Sequence, residues 1–229
     1  MFDALSLTED LVQRVHRQIA DVGYDGNVSV FGERDYDDHL NAFLKARPNA
    51  PIHVFAYGSL IWKPAFQPAS IRRGTACGWR RSFCLRIKRF RGTRERPGLM
   101  MALDRGGSCE GILQRLVKER ELLDLRMLWR REMTAMPPTN TPRWIDIESE
   151  GECVQAIAFT ANPDGTNYVG NLAPVEVAEI LAAACGSWGS GAAYLRQTTL
   201  SLEKLGIRDA YLWQLQNLVA ERIIASTTS

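Results

Sequence analysis

Apolar and polar positions change period several times along this 229-residue chain. Leu11, Val12, Val15 and Ile19 recur at the spacing of one helix face, and Thr8 stands at the N-cap, so residues 7–20 are expected to form an amphipathic helix. The next stretch, DVGYDGNVSVFGERDYDDHL, is rich in Gly and Asp and reads as a loop or poorly structured extension. One short helix over His39–Leu44 is expected before a boundary at RPNAP. From Ile52 strand patterns take over: IHVFAY, RRSFCLRI, GLMMALDRG and CEGILQRL are short, apolar or alternating, and several are bounded by Gly. Lys118–Met133 returns to a helical period, and VQAIAFTAN (Val154–Asn162) is another strand. PVEVAEILAAAC (Pro174–Cys185) opens on a Pro suited to the first helical position and is followed by Gly186, a good stop. A last helix is expected from about Ala210 to Ile223, capped by Asp209, with Leu212, Leu215, Val219 and Ile223 on one face. The outline is α+β: a mostly antiparallel, barrel-like sheet with helices packed around it.

Composition adds few restrictions. Hydrophobic residues make up 45% and charged residues 24%, enough for a real core. A formal net charge of +2 gives no argument for nucleic acid or a membrane surface. Charge is uneven, however: Arg72–Arg105 holds eleven Lys or Arg against Glu95 and Asp104, which reads either as a solvated face or as an anion-binding surface. Cys77, Cys84, Cys109, Cys153 and Cys185 are scattered without a C-x-x-C pair, which argues against zinc or a disulfide framework and for a reducing compartment. The N-terminus lacks the basic and apolar regions of a signal peptide, and no apolar segment reaches the roughly 20 residues of a bilayer span. The expected location is cytoplasmic.

Two features carry chemistry. In KERELLDLRMLWRREM, Glu132 falls close to the apolar stripe of Leu125, Leu128 and Trp129, while Arg130 and Arg131 are expected to point elsewhere. A carboxyl on such a face is raised in pKa by burial, as a general acid or base near neutral pH requires. A fraying helix end, or a salt bridge to the basic segment, is the plainer alternative. Glu121 and Asp124, nearer the helix start, are expected to be solvated or to favour the helix dipole. The second feature is the break Tyr57-Gly58-Ser59-Leu60 after an apolar strand, where Gly58 removes a Cβ and lets backbone N–H groups approach a carboxylate or oxyanion. Such donors stabilise a tetrahedral intermediate by about 3 kcal/mol. Ser59 is a poor nucleophile candidate: the surroundings are not G-x-S-x-G, and only His16, His39 and His53 exist to activate it. A cradle and a base without a nucleophile, metal or cofactor motif suit a substrate that supplies its own nucleophile. In a γ-glutamyl compound the α-amine attacks its own γ-carbonyl and closes a lactam, and enforced proximity supplies much of the rate.

The same residues carry a resemblance. VFAYGSLIWKPAF resembles the signature strand and loop of the ChaC family of glutathione-specific γ-glutamylcyclotransferases. GWRRSFCL, RGTRERPGLMMAL, LWRREM, NYVGNLAP and AAYLRQTTLSLEKLGIRD follow in the family's order, so the likeness runs from about Val54 to Arg222. It implies a γ-glutamylcyclotransferase-like mixed barrel over residues 51–225, with residues 1–50 as a helical extension. It also implies glutathione as substrate, 5-oxoproline and cysteinylglycine as products, and no cofactor. By position, the family's catalytic Glu falls on Glu132. The substrate loop falls on Val54, Phe55, Ala56, Tyr57, Gly58 and Ser59, with Leu60 just beyond, and the Tyr of Tyr-x-Gly falls on Tyr168. Arg81, Arg94 and Arg96 are candidates to meet the substrate's carboxylates.

Two departures bear on selectivity. Ala56 stands where Gly is usual, and Pro137-Pro138 stiffens the exit from the catalytic helix. Other γ-glutamyl peptides or amines are therefore alternative substrates. A non-catalytic regulatory protein associated with cation transport is the second class, against which the intact RREM speaks. Nucleic-acid binding through Arg72–Arg105 is a third, opposed by strand alternation and near-neutral charge.

Overall fold

Local signals account for most of the elements in the computed structural model, which describes residues 4–24, 26 and 28–227. The chain divides into two units, each with its own packing.

The first unit comprises residues 1–24, 83–101 and 167–229. Helix α1 (Glu9–Val15) starts where Thr8 accepts the Leu11 N–H and buries Leu11 and Val12; it is shorter than the periodicity suggests and stops before Ile19. Helix α5 (Pro174–Ala183) has Pro at its start, and the Glu176 carboxylate accepts the Ala173 N–H. Cys185–Gly186 (β6) and Gly189–Ser190 (β7) form a small hairpin. Gly186 does not cap α5, contrary to the pattern. A Cβ there would overlap the Phe90 carbonyl, so its role is close backbone approach. Helix α6 (Gly191–Lys204) is not evident from periodicity, and Ser190 caps it by accepting the Ala193 N–H. Helix α7 (Ala210–Thr227) begins with Asp209 accepting the Leu212 N–H and fully buries Leu212, Leu215, Val219 and Ile223. Gln216 of α7 in turn accepts the Leu7 N–H at 2.9 Å, which ties residues before α1 to the end of the chain.

The second unit comprises residues 25–82 and 102–166. It holds most of a closed mixed barrel of five strands in the order β1-β3-β2-β4-β5: β1 (His53–Ala56), β2 (Ser70–Ile87), β3 (Gly98–Arg115), β4 (Asn140–Ser149) and β5 (Glu152–Ala161). Strands β2 and β3 contribute residues to both units. The two runs GLMMALDRG and CEGILQRL are one strand. Gly106 (φ 102°) and Gly107 (φ 69°) bend it in mid-course, a conformation glycine adopts without steric cost, and in the sequence that bend resembles an end. Strand β4 is hidden in the sequence because Pro142 interrupts its pattern. It pairs fully with β5 through a tight turn at Glu150-Gly151, both at positive φ as a two-residue hairpin requires.

The Gly- and Asp-rich stretch is the main correction. Glu33–Leu44 is a helix, α2, begun by Gly32, whose N–H donates to the Asp35 carboxylate at 2.8 Å. Asp25 and Asn27 of that stretch lie outside the described residues. The acids that suggest a loop form a helix face: Glu33 pairs with Arg130 and Asp37 with Arg126, so acids four residues apart on α2 meet arginines four residues apart on helix α4 (Glu121–Glu132). Exposed ion pairs contribute little, on the order of 0–1 kcal/mol each. Docking rests more on buried Leu40 and on Phe43, whose ring lies 5.2 Å from that of Trp129.

Candidate functional site

Glu132, Arg81 and the expected substrate loop of residues 54–60 belong to the second unit, whereas Tyr168, Arg94 and Arg96 belong to the first. Strand β1 pairs antiparallel with β3 in the register Phe55↔Leu113 and Ala56↔Ile112, which fully buries Val54, Phe55 and Ala56. Ala56 is a strand residue without positive φ, so its methyl is compatible with the backbone there. Gly111 of β3 faces this end of β1. A Cβ on it would lie 2.6 Å from the Ala56 carbonyl oxygen and 2.8 Å from the Phe55 ring. Sequence reading passes over Gly111, and its place inside an otherwise apolar strand pattern is the signal that marks such a close approach.

After Ala56 the chain turns through Tyr57 and Gly58 into a single helical turn, α3 (Ser59–Trp62). Gly58 has φ −141° and ψ −127°, so it serves neither as strand nor as helix, and its φ is not of the left-handed kind. Leu60 is buried, whereas Ile61 and Trp62 are only half-buried, so Leu60 carries most of the anchoring of this turn.

Three polar side chains hold this turn by its acceptor atoms. Arg81 Nε donates to the Tyr57 carbonyl at 2.7 Å, and the same guanidinium bonds the Glu110 carbonyl. Gln114 Nε2 donates to the Leu60 carbonyl at 3.1 Å. Arg131 Nη2 donates to the Ser59 hydroxyl at 3.0 Å, and its Nη1 bonds the Lys63 carbonyl. Tyr57 adds a fourth tie, its hydroxyl donating to the Phe159 carbonyl at 2.6 Å. Ile61 and Lys63 donate within the turn to Gly58 and Ser59. Among the described residues, the N–H groups of Gly58, Ser59 and Leu60 meet no acceptor. The turn is therefore fixed through its oxygens, and its leading N–H groups are left available as donors.

Arg81, expected as a partner for substrate carboxylates, is instead a buried brace for two backbone carbonyls. Arg94 and Arg96 lie in the first unit, and both are exposed.

Glu132 is the last residue of α4, below the fully buried Leu125, Leu128 and Trp129. Only 16% of its side chain is exposed. Burial pushes its carboxyl above the ordinary range, and the positive charge of Arg131 pulls in the opposite direction without overcoming it. Arg131 Nε lies 3.4 Å from Glu132 Oε1. Arg130 points away toward Glu33, as expected, but Arg131 does not: it reaches both Glu132 and the turn after β1. The structure thus brings Glu132 and the turn together through a shared guanidinium. Asp124 is fully buried rather than solvated, while its place in the first turn agrees with the other expectation for it, an acid favouring the helix dipole.

Ser59 is an acceptor for Arg131, and His53 Nδ1 lies 3.0 Å from the Pro51 carbonyl. His39 Nδ1 accepts the Trp129 indole N–H at 3.1 Å. None of these contacts makes a Ser–His pair.

In the first unit, Tyr168 forms an isolated bridge with Leu85. Its ring fills the space a Cβ on Gly170 would take, which gives the Tyr-x-Gly spacing a steric reason. An open cavity of about 540 Å³ lies elsewhere on the barrel, between Cys77 and Trp79 of β2, Arg105 of β3 and Pro142–Asp146 of β4. None of the expected site residues lines it. Among the described residues there is no cluster of three or more His, Cys, Asp or Glu able to hold a metal, and no helix long and apolar enough to cross a membrane.

Comparison with known proteins bears on the same segment. Residues 52–222 match the profile of a family described as ChaC-like protein. Over 172 residues the chain is 38% identical to the glutathione-specific gamma-glutamylcyclotransferase of Escherichia coli (strain K12), covering 74% of each chain. It is 30% identical over 173 residues to gamma-glutamylcyclotransferase 2-3 of Arabidopsis thaliana, covering 72% of this chain and 87% of that one. Among solved structures, a yeast gamma-glutamyl cyclotransferase specific to glutathione matches with a TM-score of 0.68 at 19% identity, over 76% of this chain and 97% of the other. That last likeness is one of fold. A strand ending in Tyr57-Gly58-Ser59-Leu60, a helix ending in Arg131-Glu132 and a profile match spanning both lead to one conclusion: the chain belongs to the ChaC-like family.

Proposed function

We propose that this protein is a glutathione-specific γ-glutamylcyclotransferase that converts glutathione into 5-oxoproline and cysteinylglycine, with Glu132 as the catalytic acid and base. The observation that carries the reading is a carboxyl held above its ordinary pKa and joined by Arg131 to a turn with unpartnered N–H groups. Similarity to the glutathione-specific enzyme of Escherichia coli supports the choice of substrate.

Ionised Glu132 accepts a proton from the substrate's α-ammonium group. The freed amine attacks the γ-carbonyl carbon and forms the ring C–N bond. Negative charge on the carbonyl oxygen is met by N–H groups of the Tyr57–Leu60 segment, which is already fixed and need not reorganise. Collapse breaks the C–N bond to the cysteinyl residue as Glu132 gives its proton to the departing nitrogen; the same carboxylate then carries the ring nitrogen's second proton to that amine, leaving a neutral lactam and an ammonium group. No water is consumed. Val54, Phe55 and Ala56 form the buried strand that aims the turn, and Tyr57, Gly58, Ser59 and Leu60 form the substrate contact. Tyr168 enters this assignment through the motif it belongs to. We assign catalysis to residues 51–225, treat residues 1–50 as an extension, and place the protein in the cytoplasm.

The test is incubation of the purified chain with glutathione, and separately with γ-glutamyl dipeptides, with both products followed by chromatography. Release of 5-oxoproline and cysteinylglycine with a preference for glutathione is expected. Preference for the dipeptides would remove the glutathione assignment, and absence of product from every γ-glutamyl compound would remove the reaction.

A further inference from the structure

The two arginines of Arg130-Arg131-Glu132 have unlike surroundings, and the role of the second rests on the cyclisation proposed for Glu132. Arg130 is turned to Glu33, with its guanidinium 5.8 Å from the centre of the Tyr36 ring. Arg131 is turned inward, with 23% of its side chain exposed, and uses three nitrogens on three different groups. Nη2 holds the Ser59 hydroxyl at the first residue of α3, Nη1 holds the Lys63 carbonyl just past its last residue, and Nε faces Glu132 Oε1.

We propose that Arg131 is a positioning residue for the cyclisation: one rigid guanidinium locks both ends of the Ser59–Trp62 turn to the helix that presents Glu132, so that oxyanion donors and base keep a fixed separation. Arg81 and Gln114 hold the same turn from the barrel strands β2 and β3; Arg131 holds it from α4. The planar fork of arginine serves several acceptors at once, which the point charge of a lysine ammonium does not. The charged group facing the Glu132 carboxyl is Arg131 itself, so the same side chain also favours the ionised form of the base.

Charge and clamping are separable by substitution. Arg131→Lys keeps the positive charge and loses the fork. It is expected to raise KM and lower kcat/KM by about tenfold to a hundredfold, the effect of a small displacement of reacting groups, with the acid limb of the pH profile near that of wild type. Arg131→Met is expected to show the same loss and to move the acid limb to higher pH, since a carboxyl without its cation ionises later. Ser59→Ala removes a single tie and is expected to cost less. Combined with Arg131→Lys, it is expected to add less than its separate effect, because both act on one contact. Full recovery of KM and kcat by lysine, or strict additivity with Ser59→Ala, would overturn the clamp.

Amide hydrogen exchange reads the same proposal without turnover. The Ile61 and Lys63 amides, bonded to Gly58 and Ser59, are expected to exchange faster in Arg131→Lys while the buried part of α4 stays protected. Unchanged exchange at both would overturn the clamp. Faster exchange in a protein whose wild type leaves glutathione intact would uphold the clamp and sink only the substrate assignment.

Discussion

Helix α4 carries a buried carboxylate near each end, and the two sit in opposite surroundings. Asp124 lies in the first turn, at the positive end of the helix dipole, and its Oδ1 accepts from Arg120 Nη2 at 3.4 Å. Its Oδ2 is buried without a partner. Glu132 closes the last turn, where the helix carbonyls disfavour negative charge, and it depends on Arg131 for a cation. Asp124 is the more deeply buried of the two. Burial alone therefore does not single out Glu132 as the proposed base. Position on the helix and proximity to the braced turn do.

The largest expected effect breaks that comparison outright. Glu132→Gln is expected to lower kcat/KM by about 10²- to 10⁴-fold, the usual share of a general acid–base group, while Asp124→Asn stays within a few-fold of wild type. Initial rates of 5-oxoproline release measure both, and equal losses would mean that helix position carries no information about the chemistry.

Next in size is Gly111→Ala. The added methyl overlaps the Ala56 carbonyl and the Phe55 ring, both tightly packed, so a loss of about 1–3 kcal/mol is expected in denaturant unfolding. Activity is expected to fall further than the unfolded fraction explains, since β1 aims the turn. Unaltered stability would show that β1 shifts freely and that the turn's placement does not rest on it.

The smallest effect concerns pH. The folded-state pKa of Glu132 is raised, so between its ordinary value and that raised value the folded protein retains a proton the unfolded chain has lost. Its contribution to stability is fully present below the unfolded pKa and is lost as pH rises through the folded one. Glu132→Gln does not titrate, so its melting temperature is expected to exceed that of wild type by a few degrees at neutral pH, at roughly 2–4 °C per kcal/mol. The two are expected to converge below the ordinary Glu pKa of about 4.3. A constant offset at every pH would contradict the assignment of the shift to Glu132.

Legibility in the sequence follows range. Signals carried by neighbours are readable: Thr8 and Asp209 as caps, the buried stripe of Leu125, Leu128 and Trp129, and the strand before Tyr57. The family resemblance implies that the turn and Glu132 form one site, whereas residue patterning alone leaves Glu132 open to a fraying-end reading. What stays hidden depends on partners distant in the chain. The acids of α2 read as a loop because the arginines opposite them lie about ninety residues away. Arg131 reads as outward-facing because helix geometry gives a direction but not the turn waiting there, 72 residues earlier. Gly111 shows as a glycine inside an apolar strand pattern and Gly170 as part of Tyr-x-Gly, but the atoms that occupy the space of each missing Cβ do not show in the sequence.

The central claim, that Glu132 is held ready to exchange a proton beside the turn, is tested most directly by a carbon NMR titration. Protein labelled at the glutamate carboxyls would supply the spectrum, with Glu132→Gln identifying the resonance. The account predicts that this carboxyl titrates above the other glutamates, and higher still in Arg131→Met. Titration at or below the ordinary glutamate value would contradict it.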